Sequence, residues 1–375
     1  MYQHIVRILR VITVTVAAVA ATATVGVGAV PASAATTHHG KHATLPVTQP
    51  WAVICERVHR VRPGLDCKHG SGPKRHPLKR QAQAVSELPT PTLDSSPIGI
   101  TTGSDGALWF TEGAASQVGR VTTSGAFSEF ATLTAGSQPA DIAAGADGDL
   151  WFTEAAGDNI GRITPAGVVT EFPLPTPDAY PWGIAAGPDG DRWFTEAAGD
   201  NIGRITPAGV VTEFPLPTAN AYPLSIAPAV DGALWFTEPL AGSIGRIDPS
   251  GVISESRVPS TLVAVPVGIT AGPDGNLWFT DALGAVDSVT TSGTFTEHAL
   301  GNASAVPWGV ATGPDGNLWF AELEGARISS ITTAGVVNTV ALPTVGARPM
   351  ELTAGPDGNI WFTESGAGRI GTSTV

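Results

Sequence analysis

The sequence predicts an all-β fold: a seven-bladed β-propeller of four-stranded blades, closed by an N-terminal outer strand that completes the last blade. Three observations predict it. Trp-Phe pairs begin at Trp109, Trp151, Trp193, Trp235, Trp278, Trp319 and Trp361, and a period of about 42 residues is the length of one propeller blade. Every unit is broken by glycine and proline, of which the chain has 45 and 31, and this excludes helical repeats of similar length. The third observation lies at the ends. After Trp361 the chain supplies a second and a third strand and stops at Val375, while Val85–Pro91 matches Val169–Pro175 two periods further on. Val85–Pro91 is therefore an orphan outer strand, expected to pair with the last unit's third strand and remove the open edges.

The unit from Pro181 to Tyr222 illustrates the elements in order. Trp182–Ala186 forms the innermost strand. Gly187-Pro188-Asp189-Gly190 is a tight turn, in which proline fixes φ and glycine accepts a positive φ. Arg192–Glu196 is the second strand, Ile202–Thr206 the third, and Val210–Phe214 the outer one, reached through Pro207-Ala208-Gly209. The alternating apolar and polar residues suit strands packed between neighbouring blades. Turn aspartates recur in all seven units (Asp105, Asp147, Asp189, Asp231, Asp274, Asp315 and Asp357). Turn chemistry explains them better than metal binding.

Two segments precede the repeats. Residues 1–34 read as an export signal: Arg7 and Arg10, an apolar stretch from Val11 to Val30, then Ala32-Ser33-Ala34 as a cleavage site. A secreted protein follows from this. Residues 35–84 are a basic, histidine-rich linker with nine Lys and Arg against Glu56 and Asp66, and they hold the only cysteines, Cys55 and Cys67. In an exported protein that pair most simply forms a disulfide. Of the chain's net charge of −13, the leader contributes +2 and the linker +7, which leaves −22 on residues 85–375. Such a surface repels nucleic acid and anionic membranes and favours cationic partners. The basic linker offers a contact for the cell envelope, and a monomer is the expected state.

Two sets of residues fall at one end of the first hairpin of each blade, around one mouth of the central channel. One follows the inter-blade proline: Ile98, Ala140, Trp182, Leu224, Val267, Trp308 and Met350. The other is the acid after each Trp-Phe: Glu112, Glu154, Glu196, Glu238, Asp281, Glu322 and Glu364. Seven carboxylates near one axis need neutralising partners. Blades one to four offer Arg120, Arg162, Arg204 and Arg246 on the third strand. Blades five to seven have Ser288, Ser330 and Thr372 there, so Asp281, Glu322 and Glu364 are the least obviously paired, although Arg327 and Arg369 lie in nearby loops and the acids could equally bond backbone amides or arginines between blades. They are candidates for a cation site or acid–base work. Trp182 and Trp308, three blades apart, are candidates for stacking on a sugar or aromatic ligand. The ligand-binding set is thus Trp182, Trp308, Asp281, Glu322 and Glu364, for a small molecule, peptide or glycan.

Gly-Pro-Asp-Gly-x-Leu-Trp-Phe-Thr-Glu, Ile-Gly-Arg-Ile-Thr-Pro-x-Gly and Thr-Glu-Phe-Pro-Leu-Pro-Thr-Pro resemble the repeats of the streptogramin lyases, the virginiamycin B lyase family, across residues 85–375. The resemblance implies a seven-bladed propeller and Mg²⁺-assisted elimination that opens a cyclic depsipeptide antibiotic at its ester. It also implies histidines directly after the inter-blade proline in the last two blades, a glutamate before the final proline, and an acid after the last Trp-Phe. Those positions hold Trp308, Met350, Arg348 and Glu364. None of the seven post-proline residues is histidine, and the repeats' one histidine, His298, lies on an outer strand. The expectation is a binding scaffold that has lost the lyase reaction. The alternative is a divergent Mg-dependent streptogramin B lyase with Glu322 or Glu364 as base.

Overall fold

The computed structural model describes residues 84–259, 264–301 and 305–375. The leader, the basic linker and the Cys55–Cys67 pair lie outside the described residues. Among the described residues all regular structure is β, arranged as seven four-stranded antiparallel sheets with neighbouring strands in sequence order. No helix among them is long and apolar enough to cross a membrane.

Blade three carries the pattern: Pro181–Ala186, Arg192–Glu196, Asn201–Ile205 and Val211–Pro215. Blade seven is completed from the other end of the chain. Val85–Pro89 pairs with Arg369–Ser373, with Glu87 opposite Gly371 and Pro89 opposite Arg369. In blade three Glu213 lies opposite Gly203 and Pro215 opposite Asn201, so the N-terminal strand repeats the register of a continuous blade. The expected closure is present.

The hydrophobic core lies between blades. Trp193 packs with Ile226, Leu234 and Phe236 of blade four. Trp361 of blade seven packs with Ile100, Leu108 and Phe110 of blade one, closing the circle. Burying a side chain of this size contributes about 1.5–3 kcal/mol, and the full set of seven is what drives closure. Within a blade, a Cβ on Gly203 would lie 2.1 Å from the Phe194 ring, which is why glycine stands beneath that phenylalanine.

Neighbouring blades are also clamped by the threonine of each Trp-Phe-Thr. Thr195 Oγ1 donates to the Leu224 carbonyl at 2.6 Å and accepts from the Gly183 amide at 2.9 Å. Thr363 makes the same bond to Ile98 at 2.7 Å, joining blade seven to blade one. Blade six has Ala321 at this position.

The turn aspartates behave as turn chemistry predicts. Asp105 Oδ1 accepts from the Ala107 amide and from the Trp109 indole, at 3.2 and 3.1 Å.

Candidate functional site

In six blades the acid that ends the second strand pairs across the first hairpin with the inter-blade proline, as with Pro181 and Glu196 or Pro307 and Glu322, and blade four lacks that pair. The expected gathering at one end of the blade is present in those six. The side chains, however, turn into the protein. Glu112, Glu154, Glu196, Glu238 and Glu364 are 0% exposed, Glu322 4% and Asp281 6%.

The post-proline residues are buried too. Trp182 is 7% and Trp308 2% exposed, where stacking on a ligand had called for open indoles. Tyr180 stacks on Trp182 with centroids 6.0 Å apart, and this contact uses the face that a sugar would need. The cause is a bulge. In blade three Pro181 pairs with Glu196 and Ile184 with Phe194, three steps against two, so the residue after the post-proline one is brought to the axis as well.

That axial position holds Asp141 in blade two and Glu351 in blade seven, which the sequence reading missed by assuming regular alternation. Asp141, Trp182, Ser225 and Glu351 line an axial cavity with room for about one water molecule. Asp141 accepts from the Ile142 amide at 2.8 Å and the Ile184 amide at 3.0 Å. Burial pushes its carboxyl up to about 6 against those bonds. Burial, and then the charge of Asp141, lifts Glu351 well above the usual carboxylate range.

The partners of the acids correct the sequence reading. Arg204 lies across from Trp193, at the start of the second strand, whereas Glu196 ends it. Arg120 accordingly reaches Asp105 at 2.7 Å and Arg246 reaches Asp231 at 2.8 Å. Arg162 and Arg204 approach Asp149 and Asp191 at 3.7 and 3.6 Å and sit over Trp151 and Trp193. The third-strand arginines thus serve the turns and leave the glutamates alone. Glu322 takes the nearby arginine, Arg327, at 2.7 Å and accepts from Ser329 at 2.5 Å. Asp281 accepts from the Val265 and Leu283 amides, and burial raises its carboxyl.

What faces the remaining glutamates is a second carboxylate from the outer strand: Glu171 and Glu213 of Thr-Glu-Phe, and Glu129, Glu255 and Glu87 at the matching positions. Burial first, and then hydrogen-bonded or charged neighbours that include Glu171, Glu213 and Glu255, bring Glu154 to about 7 and Glu196 and Glu238 to about 8. Glu364 is pushed up to about 8 by burial and then by Glu87, with Arg369 opposing. The outer carboxylates hold the incoming inter-blade loops. Thr176 donates its amide to Glu213 at 3.0 Å and its hydroxyl at 2.8 Å. Thr134 does the same to Glu171, and Thr344 to Glu87.

At the positions where the resemblance implies catalytic groups, Trp308 is 2% and Met350 1% exposed. Arg348 occupies the glutamate position with φ 52°, and its charge acts on Glu324. Mg²⁺ prefers several oxygen donors in octahedral array. An indole, a thioether and a guanidinium provide none, Glu322 is taken by Arg327, and Glu364 is sealed against Glu87. The residues present do not fit the metal. His298, at the phenylalanine position of its Thr-Glu-Phe, stacks on Trp278 at 4.9 Å and has no part in the mouth.

The profile of the Virginiamycin B lyase family matches residues 83–294 and 281–375. Among solved structures, virginiamycin B lyase from Staphylococcus aureus is 37% identical with a TM-score of 0.75, covering 78% of this chain and 99% of its own. A streptogramin B lyase structure is 36% identical with a TM-score of 0.75, covering 78% and 97%. A catalytically inactive histidine-to-alanine variant of the S. aureus enzyme, with quinupristin, gives 36% and 0.74, covering 78% and 99%. Hydrazine synthase from Kuenenia stuttgartiensis, at 17% identity and TM-score 0.61, shares the fold alone. With both halves of the ring matched and the blade signatures in register, the chain belongs to the virginiamycin B lyase family.

Proposed function

We propose that this protein is a secreted, non-catalytic binding propeller of its family, which keeps the scaffold and has lost the lyase reaction. The observation that carries the reading is the apolar collar after the inter-blade prolines. All seven of its side chains are between 1% and 7% exposed, and none is an imidazole. Elimination next to a carbonyl needs a positioned base, whose loss typically lowers the rate about 10²–10⁴-fold. The alternative lyase reading would use Glu322 or Glu364. Glu364 has its carboxyl near the working pH, which favours that reading, but it is 0% exposed and out of a substrate's reach.

Trp182, Trp308, Asp281, Glu322 and Glu364 then form the floor that supports the mouth. The loops above, which carry Glu324 and Arg348, supply the contact surface. The ligand class is a small molecule, peptide or glycan. The inactive S. aureus variant, with quinupristin, makes a cyclic depsipeptide the first probe to use. The basic linker, residues 35–84, would hold the propeller at the cell envelope. Isothermal titration with quinupristin, followed by intact-mass analysis, tests the reading. Saturable heat with the ring ester intact supports it, and no heat together with no turnover removes this ligand class.

A further inference from the structure

The repeated carboxyl pairs have no part in that reading, yet they are the most unusual chemistry in the ring. Neither carboxyl oxygen of Glu238 has a donor, nor does Oε1 of Glu154 or Glu196. Asn159 and Asn201 donate to the other oxygen of Glu154 and Glu196, at 3.0 and 2.8 Å. The outer partners are supplied differently. Glu171, Glu213 and Glu255 each accept both the amide and the hydroxyl of a loop threonine, Thr134, Thr176 or Thr218. Donors of that kind stabilise the ionised form. The ionisable groups that face the inner glutamates are all acidic: Glu171 at Glu154, Glu213 and Asp158 at Glu196, and Glu255 and Asp200 at Glu238. Two adjacent ionised carboxylates without a cation are strongly disfavoured, and such a pair titrates as a unit that holds one proton.

We infer that in blades two, three and four the inner glutamate carries a proton and donates it to the outer carboxylate. Each pair is then a latch that pins the incoming inter-blade loop in acid and loosens it in alkali. The proton sits on the inner partner because that one is fully buried and at most takes side-chain donors, Asn159 and Ser137 at Glu154 and Asn201 at Glu196, while the outer one is only partly buried and is bound by a threonine amide and hydroxyl. Losing it places a second charge beside Glu213, repels that carboxylate, and slackens Thr176 four residues before Tyr180 and the proline that leads into Trp182. The sign follows from the raised carboxyls. The contribution is complete below the ordinary carboxylate range and disappears as pH rises through about 7 to 8.

The experiment uses the full chain and the triple variant Glu154→Gln, Glu196→Gln, Glu238→Gln, whose amides still donate but do not titrate. Between about pH 5.5 and pH 8.5 the native Tm should fall by on the order of 10 °C, and the variant's should fall distinctly less. Exchange at the Thr134, Thr176 and Thr218 amides, corrected for intrinsic rate, should rise by up to about tenfold per pH unit as pH climbs towards about 7 to 8 and level off above it, in the native protein alone. Parallel losses of Tm in the two proteins overturn the inference. If the triple variant does not fold, infrared difference spectra of the native chain and of Glu238→Gln decide. A protonated-carboxyl band near pH 6 that weakens in the variant supports the latch, and an unchanged spectrum overturns it.

Discussion

Single residues set tolerances here that no periodicity reveals. Gly203 and Gly190 look alike in the sequence, but a Cβ at Gly203 would meet the Phe194 ring at 2.1 Å, whereas Gly190 has open space and a φ of 88°. Gly203→Ala is expected to destabilise by about 2–3 kcal/mol through overpacking, and Gly190→Ala by about 1 kcal/mol through φ alone. Urea unfolding of both variants checks the order. The turn aspartates were legible because Asp-Gly, with or without a preceding proline, dictates local chemistry whatever surrounds it. The acids were not. Their partners depend on which end of the second strand each third-strand residue meets, and antiparallel pairing sends Arg204 to Asp191 rather than to Glu196.

At the scale of elements, the strand order and the closing strand could be counted from the repeats, since period and turn signals survive in all seven. The bulge in the first strand could not, because one extra residue leaves the period unchanged and alters only which side chain faces the axis. That is why Trp182 proved buried and why Asp141 and Glu351 went unnoticed. The threonine clamp also became visible only with neighbouring blades in place. Thr195→Ala removes a buried hydroxyl that satisfies a carbonyl and an amide, so a loss of about 1–3 kcal/mol is expected. Ala321→Thr would restore the repeat's own residue at the junction of blades six and seven, and a gain of about 1 kcal/mol is expected. Thermal unfolding of both variants provides the check, and a gain at Thr195→Ala would refute the clamp.

For the whole molecule, stability is a property of the circle, and the strand Val85–Pro89 carries its last bond. A chain that begins after Pro89 would expose the Arg369–Ser373 edge and lose the Glu87–Thr344 strap. It should unfold at a lower temperature and self-associate in light scattering, whereas a chain that begins at Ala84 should match the full protein. The same circle brings seven apolar side chains beneath the mouth, where the family's reaction would need imidazole and a metal. The most direct measurement is a time course of quinupristin with Mg²⁺ and a molar excess of this protein, read by mass spectrometry after separation. The depsipeptide should stay cyclic at the rate of the protein-free control. A linear product of unchanged mass, formed in proportion to protein, would contradict the account.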